Sequence, residues 1–143
     1  MFNIIYRDGA PENTGHFETV STDGSSSYKV GQAVYLDSNG KAKLCGGATN
    51  ANKIYGIVAK DAASTDKDVL VLKVEKDMIF KCPITGANIA SAHKGFKLAI
   101  GTTDYGSVVS AASTLGTSYI GATVVDEPIT SGGVSMVEVR FEN

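Results

Sequence analysis

Tryptophan is absent from this 143-residue chain, arginine occurs only at Arg7 and Arg140, and there are just three prolines and two cysteines. Each shortage excludes something. With two arginines the bidentate readout of phosphate or guanine is hardly available, and a net charge of −2 with a pI near 5.6 also argues against a nucleic-acid binder. Cys45 and Cys82 lie far apart with no C-x-x-C spacing, and neither His16 nor His93 clusters with them, so no zinc site is expected. The two cysteines are either buried thiols or a single disulfide. No apolar run approaches the length of a membrane-spanning helix. The start, MFNIIYRDG, has no basic head, long apolar stretch or cleavage site, so export by an ordinary signal is not expected.

Catalytic patterns are missing too. No G-x-S-x-G elbow occurs, and no motif sets a histidine beside an acid. Asp37, Asp61, Asp66 and Asp68 fall in turn-like stretches, where aspartate serves backbone hydrogen bonding. The DSNGK stretch starts like a calcium loop, but its twelfth position is Ala48 instead of a bidentate glutamate. Gly46-Gly47 is not followed by the lysine and helix of a phosphate loop. The expectation is a non-enzymatic protein without catalytic residues, cofactor or metal. Charge is uneven: residues 31–94 carry nine lysines against six acids, and residues 95–143 carry two basic residues against five acids. The lysine-rich middle is either a solvated face that blunts sheet edges or a surface for an acidic partner or neighbouring copy.

What remains is β patterning with clear punctuation. In GQAVYLDSNGKAKL, Gln32, Val34 and Leu36 share one face and Ala33 and Tyr35 the other. Asn39-Gly40 predicts a type I′ hairpin, in which both central residues need positive φ. Ala42 and Leu44 then alternate with Lys41 and Lys43. Ile54–Lys60 is apolar on both faces and reads as a central strand, and Leu70, Leu72 and Val74 line one face of the strand that follows. Pro83 is expected to end any strand running through Cys82. Residues 84–94 are the only plausible helix, a short connector capped near Thr85 or Asn88 and stopped at Gly95, with His93 on its surface. From Gly95 the pattern restarts: Phe96, Leu98 and Ile100 alternate, and a last hairpin turns at Thr130–Gly133 and sends Val137, Val139 and Phe141 inward. Gly31 and Gly95, and Gly56 and Gly121, stand 64 and 65 residues apart, which suggests pseudo-repeats at about 30–82 and 95–143 joined by 83–94; chance alignment of generic hairpins is the alternative. The fold class expected is mainly β, a small barrel or sandwich built from hairpins, with at most one short helix.

Residues 1–29 read differently. They are rich in Gly, Pro, Asn, Ser and Thr, too polar to hold themselves folded, yet Phe2, Ile4, Ile5, Tyr6 and Phe17 are too bulky for a plain tail. The expectation is an extended N-terminal arm that orders on a partner and reaches on the order of 100 Å. The alternative is a first strand tucked against the chain's own barrel.

The order of Gly31, Val34, Leu36, Asp37 to Lys41, Gly56 to Ala59, Asp61, Ser64 to Asp68 and Val69 to Phe80 resembles the lambda-type head-decoration (capsid cement) proteins of tailed bacteriophages. The likeness covers roughly a third of the chain; the C-terminal third departs from that smaller family. The resemblance implies a virion protein of the outer capsid surface, made in the host cytoplasm, homotrimeric, bound to the major capsid protein and stabilising the shell, with no membrane or nucleic-acid partner. It also implies that Phe2 to Tyr6 add backbone hydrogen bonds to a shell strand while Phe17 and Tyr28 serve as buried anchors. A head- or tail-fibre base, or a carbohydrate-binding module using Tyr35, Tyr55, Tyr105 and Tyr119, is the alternative.

Overall fold

Alternation of apolar residues organises the chain into two five-stranded units of one topology. The computed structural model describes residues 1–7, 16–46, 54–87, 89–110 and 122–141, with backbone alone for residues 5–7. Its strands are β1 (Asn3–Arg7), β2 (Phe17–Ser21), β3 (Ala33–Leu36), β4 (Ala42–Leu44), β5 (Gly56–Val58), β6 (Asp68–Lys73), β7 (Met78–Thr85), β8 (Lys97–Ile100), β9 (Val108–Val109), β10 (Ala122–Ser131) and β11 (Val134–Phe141). The first sheet runs β2-β6-β5-β3-β4, and a parallel bridge between Thr22 and Ala42 joins its two ends. The second runs β7-β11-β10-β8-β9 and closes into a five-stranded barrel where β9 pairs parallel with β7. β1 adds to β7 on the edge away from β11. The protein is mainly β.

The two units agree residue by residue. Leu36 faces Ala42 in the first, and Ile100 faces Val108 in the second. Val34 faces Gly56, as Leu98 faces Ala122; Val58 faces Val71, as Val124 faces Val139. Val20 faces Val69, as Cys82 faces Val137. The closing bridge Thr22–Ala42 matches Ile84–Val108. Backbone register therefore sets Ala122 in the place of Gly56, one position beyond the glycine that sequence alignment pairs with it; Gly121 itself lies outside the described residues.

Period-two alternation then decides the cores. Val20, Val34, Ala42, Val58, Val69 and Val71 fill the inside of the first unit around Tyr28. The larger core holds Phe80, Cys82, Leu98, Ile100, Val108, Val124, Val137, Val139 and Phe141 from the second unit. It also takes in Ala33, Ile57 and Leu72 from the outer face of the first sheet, so that sheet is dry on both sides. Cys45 and Cys82 are both buried thiols in this core, pushed up to about 11 and about 12 by loss of solvent.

Several expectations need correction. The Asn39-Gly40 hairpin forms, but only Gly40 takes a positive φ (71°). Asp37 is the reason: its Oδ1 accepts from the N–H groups of Asn39 (2.8 Å) and Lys41 (2.9 Å), and Gly40 N–H bonds to Asp37 O at 3.0 Å. This is a single left-handed residue after a turn held by an aspartate side chain, not a type I′ turn. Gly132 and Gly133, at 60° and 79°, form the turn in which both residues are left-handed. Pro83 does not end its strand; β7 continues to Thr85. The carbonyl of Thr85 accepts from Ser110 N–H, so the nitrogen of Pro83, two residues earlier, points to the same edge. There it falls between the last β1 partner, Lys81, and the first β9 partner, Ile84, where no ladder bond is lost. The expected helix over 84–94 reduces to a 3₁₀ turn at Ile89–Ser91, because Ile84 and Thr85 belong to β7.

Residues 1–7 are not a partner-seeking arm in this fold. β1 pairs antiparallel with the chain's own β7, from Asn3 opposite Lys81 to Arg7 opposite Met78. Phe2 is buried edge-on against Phe141 with ring centroids 5.0 Å apart, and its N–H bonds to Gly31 O at 3.0 Å. β2 follows as an edge strand of the first sheet. The rest of the expected arm between them, residues 8–15, lies outside the described residues.

Candidate functional site

The residues expected to grip a partner separate into two groups. Phe2 is buried and Ile4 is half-buried against the larger core. Ile5 and Tyr6 lie in β1, where Tyr6 is opposite Ile79; their side chains are outside the described residues. Tyr28 is fully buried, and its hydroxyl donates to Ala42 O at 2.7 Å, so it anchors its own core and not a partner's. Burial pushes its pKa up. Among the described side chains of this set, Phe17 alone remains outside: it ends the row Ala33, Ile57, Leu72 across the first sheet's outer face and is 56% exposed.

The larger exposed apolar feature is on the last hairpin and is not among those expected residues. β10 and β11 form a long hairpin, and β8 pairs with β10 only at Ala122 and Thr123. Beyond that, Asp126 faces Glu138, Ile129 faces Met136, and Ser131 faces Val134 across the Gly132-Gly133 turn. Facing residues share a side of the sheet, so Ile129, Met136 and Val134 form one apolar strip. Ile129 is 70% exposed and Val134 55% exposed. Asp126 and Glu138 continue that strip as two carboxylates directly opposite each other, with Lys81 next to Glu138. On the other side, Thr130 and Ser135 hydroxyls hydrogen-bond at 2.7 Å. That side borders a cleft of about 440 Å³ lined by Ile89, Ala90, Glu127, Pro128, Thr130 and Ser135. Its sequence signal was the run DEPITSGGV, which brackets a tight turn with apolar residues that no core needs.

The cleft has a cause in the comparison of the two units. In the first, Tyr28 and Ala62 exchange N–H···O bonds of 2.8 and 3.0 Å, and Lys29 Nζ lies 3.4 Å from Asp61. The N–H of Val30 donates to Asp61, which with Lys29 holds that carboxyl below its ordinary range. In the second unit His93 Nδ1 lies 3.3 Å from Glu127 in the matching place, so Pro128 stands where Ala62 does. Proline has no N–H to give, the reciprocal pair cannot form, and the hairpin stands off the 3₁₀ turn.

Elsewhere, several described polar groups bond within the chain. Glu18 accepts from the Tyr55 hydroxyl and lies near His16 (3.2 Å) and Lys73 (3.8 Å). The Tyr55 bond is the first cause lowering Glu18 and raising Tyr55. Asp104 Oδ1 accepts from Gly106 N–H at 3.0 Å and Ser107 Oγ at 2.9 Å and so closes a loop. Lys43 pairs with Asp23. Of the tyrosines considered as a sugar platform, Tyr35 packs on the larger core and Tyr55 on the smaller; Tyr119 lies outside the described residues. Among the described residues no group of three or more His, Cys, Asp or Glu side chains is placed to hold a metal, and no helix is long and apolar enough to cross a membrane. No protein-family model matches the chain, and no curated protein matches it in sequence.

Proposed function

We propose that this is a non-enzymatic virion structural protein that decorates the outer surface of a tailed-phage capsid and stabilises it by adhesion to the major capsid protein. The observation that carries the reading is the apolar strip of Ile129, Met136 and Val134 on a hairpin that projects beyond its barrel. The fold does not bury Ile129 or Val134, so their value lies in burial elsewhere, at roughly 25 cal/mol for each Å² removed from water. The residue order from Gly31 to Phe80, which carries the likeness to head-decoration proteins, supports the same reading. The mode of attachment differs from an arm: β1 is spent at home, and the hairpin takes over as the contact. Several copies on one shell would let weak single contacts add up, and a homotrimer is the assembly proposed.

The test is co-sedimentation with expanded heads purified from tailed phages, comparing the natural chain with Ile129→Asp combined with Val134→Asp. Both side chains are exposed, so the variant keeps its fold. Binding reduced by about tenfold or more is expected, the effect of losing two apolar contacts. Undiminished attachment of the variant, or no attachment of the natural chain to any head, overturns the proposal.

A further inference from the structure

The geometry points to the outer edge of β10, from Glu127 to Ser131, as a strand-acceptor site for an extended, basic and apolar segment of a partner protein. This deepens the reading above, in which that partner is a shell subunit.

The backbone carries the first part of the argument. Val124 uses its outward N–H and C=O on the chain itself, donating to Phe96 O and accepting from Gly95 N–H, both at 2.8 Å. Past that point β8 no longer pairs with β10. Because Gly132-Gly133 is a two-residue left-handed turn, the flanking Ser131 and Val134 bond to each other. Alternation then turns the N–H and C=O of Thr130 away from β11, toward the cleft, where none of the described residues pairs with them. The first unit satisfies the matching stretch within the chain, through the two bonds between Tyr28 and Ala62. Pro128 removes that option in the second unit and leaves a polar strand edge beside a cleft wide enough for another backbone.

The side chains select the occupant. A strand added along this edge lays alternate residues beside Ile129 and Ser131 on one face and beside Thr130 on the other. Apolar residues match the Ile129 face. Toward Asp126 the same face carries two carboxylates directly opposite each other, an arrangement that costs stability and that a lysine or arginine of the added strand relieves. The exposed Glu127 carboxylate, 3.3 Å from His93 Nδ1, adds to the same charge. An acidic segment meets repulsion there.

The experiment is an NMR titration of the full chain with capped peptides of roughly six residues, the length of an average strand. One alternates valine and threonine and ends in two lysines, one ends in two glutamates, and one repeats the lysine peptide with alternate amides N-methylated. The lysine peptide should give saturable shifts at the amides of Glu127, Thr130 and Ser131, with affinity at least about tenfold above the glutamate peptide. N-methylation should abolish the shifts. Thr130→Pro, which deletes the outward N–H along with the hydroxyl bonded to Ser135, should abolish them, whereas Thr130→Val, which loses only the hydroxyl, should keep them, and both should leave the amides of Leu98 and Val139 unmoved. Absence of shifts with the lysine peptide overturns the inference, as do equal shifts with all three. Failure of the natural chain to sediment with any head while it still binds the lysine peptide counts against the shell as partner and leaves the acceptor edge standing.

Discussion

Gly31 and Gly95 hold the same place in the two units. Their φ angles are 85° and 89°, and each donates its N–H at 2.8 Å to the strand beyond it, Gly31 to Val58 O and Gly95 to Val124 O. The return bonds match as well: Val58 N–H to Gln32 O at 2.9 Å and Val124 N–H to Phe96 O at 2.8 Å. One left-handed residue at the entry to β3 and to β8 thus turns the chain into its sheet in both halves. Only glycine holds that conformation without a steric cost from its side chain.

Their surroundings differ, and this gives the first prediction. A Cβ on Gly95 meets nothing within 4 Å, whereas one on Gly31 falls 2.0 Å from Met1 Cγ and 3.0 Å from Met1 Cα. Gly95→Ala should therefore cost the left-handed penalty alone, about 1–2 kcal/mol. Gly31→Ala should cost that plus displacement of Met1 from the junction, roughly 1 kcal/mol more for the overpacking. Urea midpoints of the two variants measure the gap, and equal losses would mean that Met1 does not rest on Gly31.

The second prediction concerns Phe2. A partner-seeking arm leaves the isolated protein indifferent to its loss. A strand docked on β7, with Phe2 packed on Phe141 and Phe141 in turn 5.1 Å from Phe80, makes it part of the core. Phe2→Ala should then destabilise the isolated chain by about 3 kcal/mol, the low end for a buried phenylalanine. Denaturant unfolding without any partner decides it. For the same reason, truncating residues 1–20 would remove β1 and nearly all of β2, which makes point substitutions the sounder probe of attachment.

What the sequence made legible is local, and what it hid depends on distant neighbours. Val34 and Leu36 against Ala33 and Tyr35, and the inward trio Val137, Val139 and Phe141, follow from alternation alone and lie where it puts them. In sequence Pro83 looks like a stop, because its tolerance depends on which edge its nitrogen faces, and that is set by β1 and β9, far away in the chain. The resemblance makes Tyr28 an anchor for a partner, and nothing near it in sequence announces the Ala42 carbonyl that its hydroxyl bonds. Asn39-Gly40 carries the signal of a left-handed pair, but the side chain of Asp37 competes for the backbone and leaves only Gly40 in that conformation. At the hairpin, Ile129 and Val134 were legible as strand residues, but their exposure was not. It depends on where β8 stops pairing with β10 and on what Pro128 prevents.

The last prediction sets a pH dependence on Glu18. Its carboxyl is held below the ordinary value of 4.5 first by the Tyr55 hydroxyl, with Lys73 and His16 adding and burial opposing. A carboxyl depressed by folding stabilises the native state above its unfolded pKa, and that contribution fades as pH falls through the lower folded value. Glu18→Gln should therefore unfold at a lower urea concentration than the natural chain at pH 7, and the difference should shrink below about pH 4.5 and vanish in stronger acid. Tyr55→Phe removes the same bond from the other side, so the double variant should lose less than the sum of the two single ones. Salt separates the causes. The Lys73 contribution acts through a half-exposed ion pair and is screened, whereas the Tyr55 hydrogen bond is short-ranged and is not. Most of the pH 7 difference should survive added salt. A difference that disappears in salt, or that is as large at pH 3 as at pH 7, would show that Tyr55 does not hold this carboxylate.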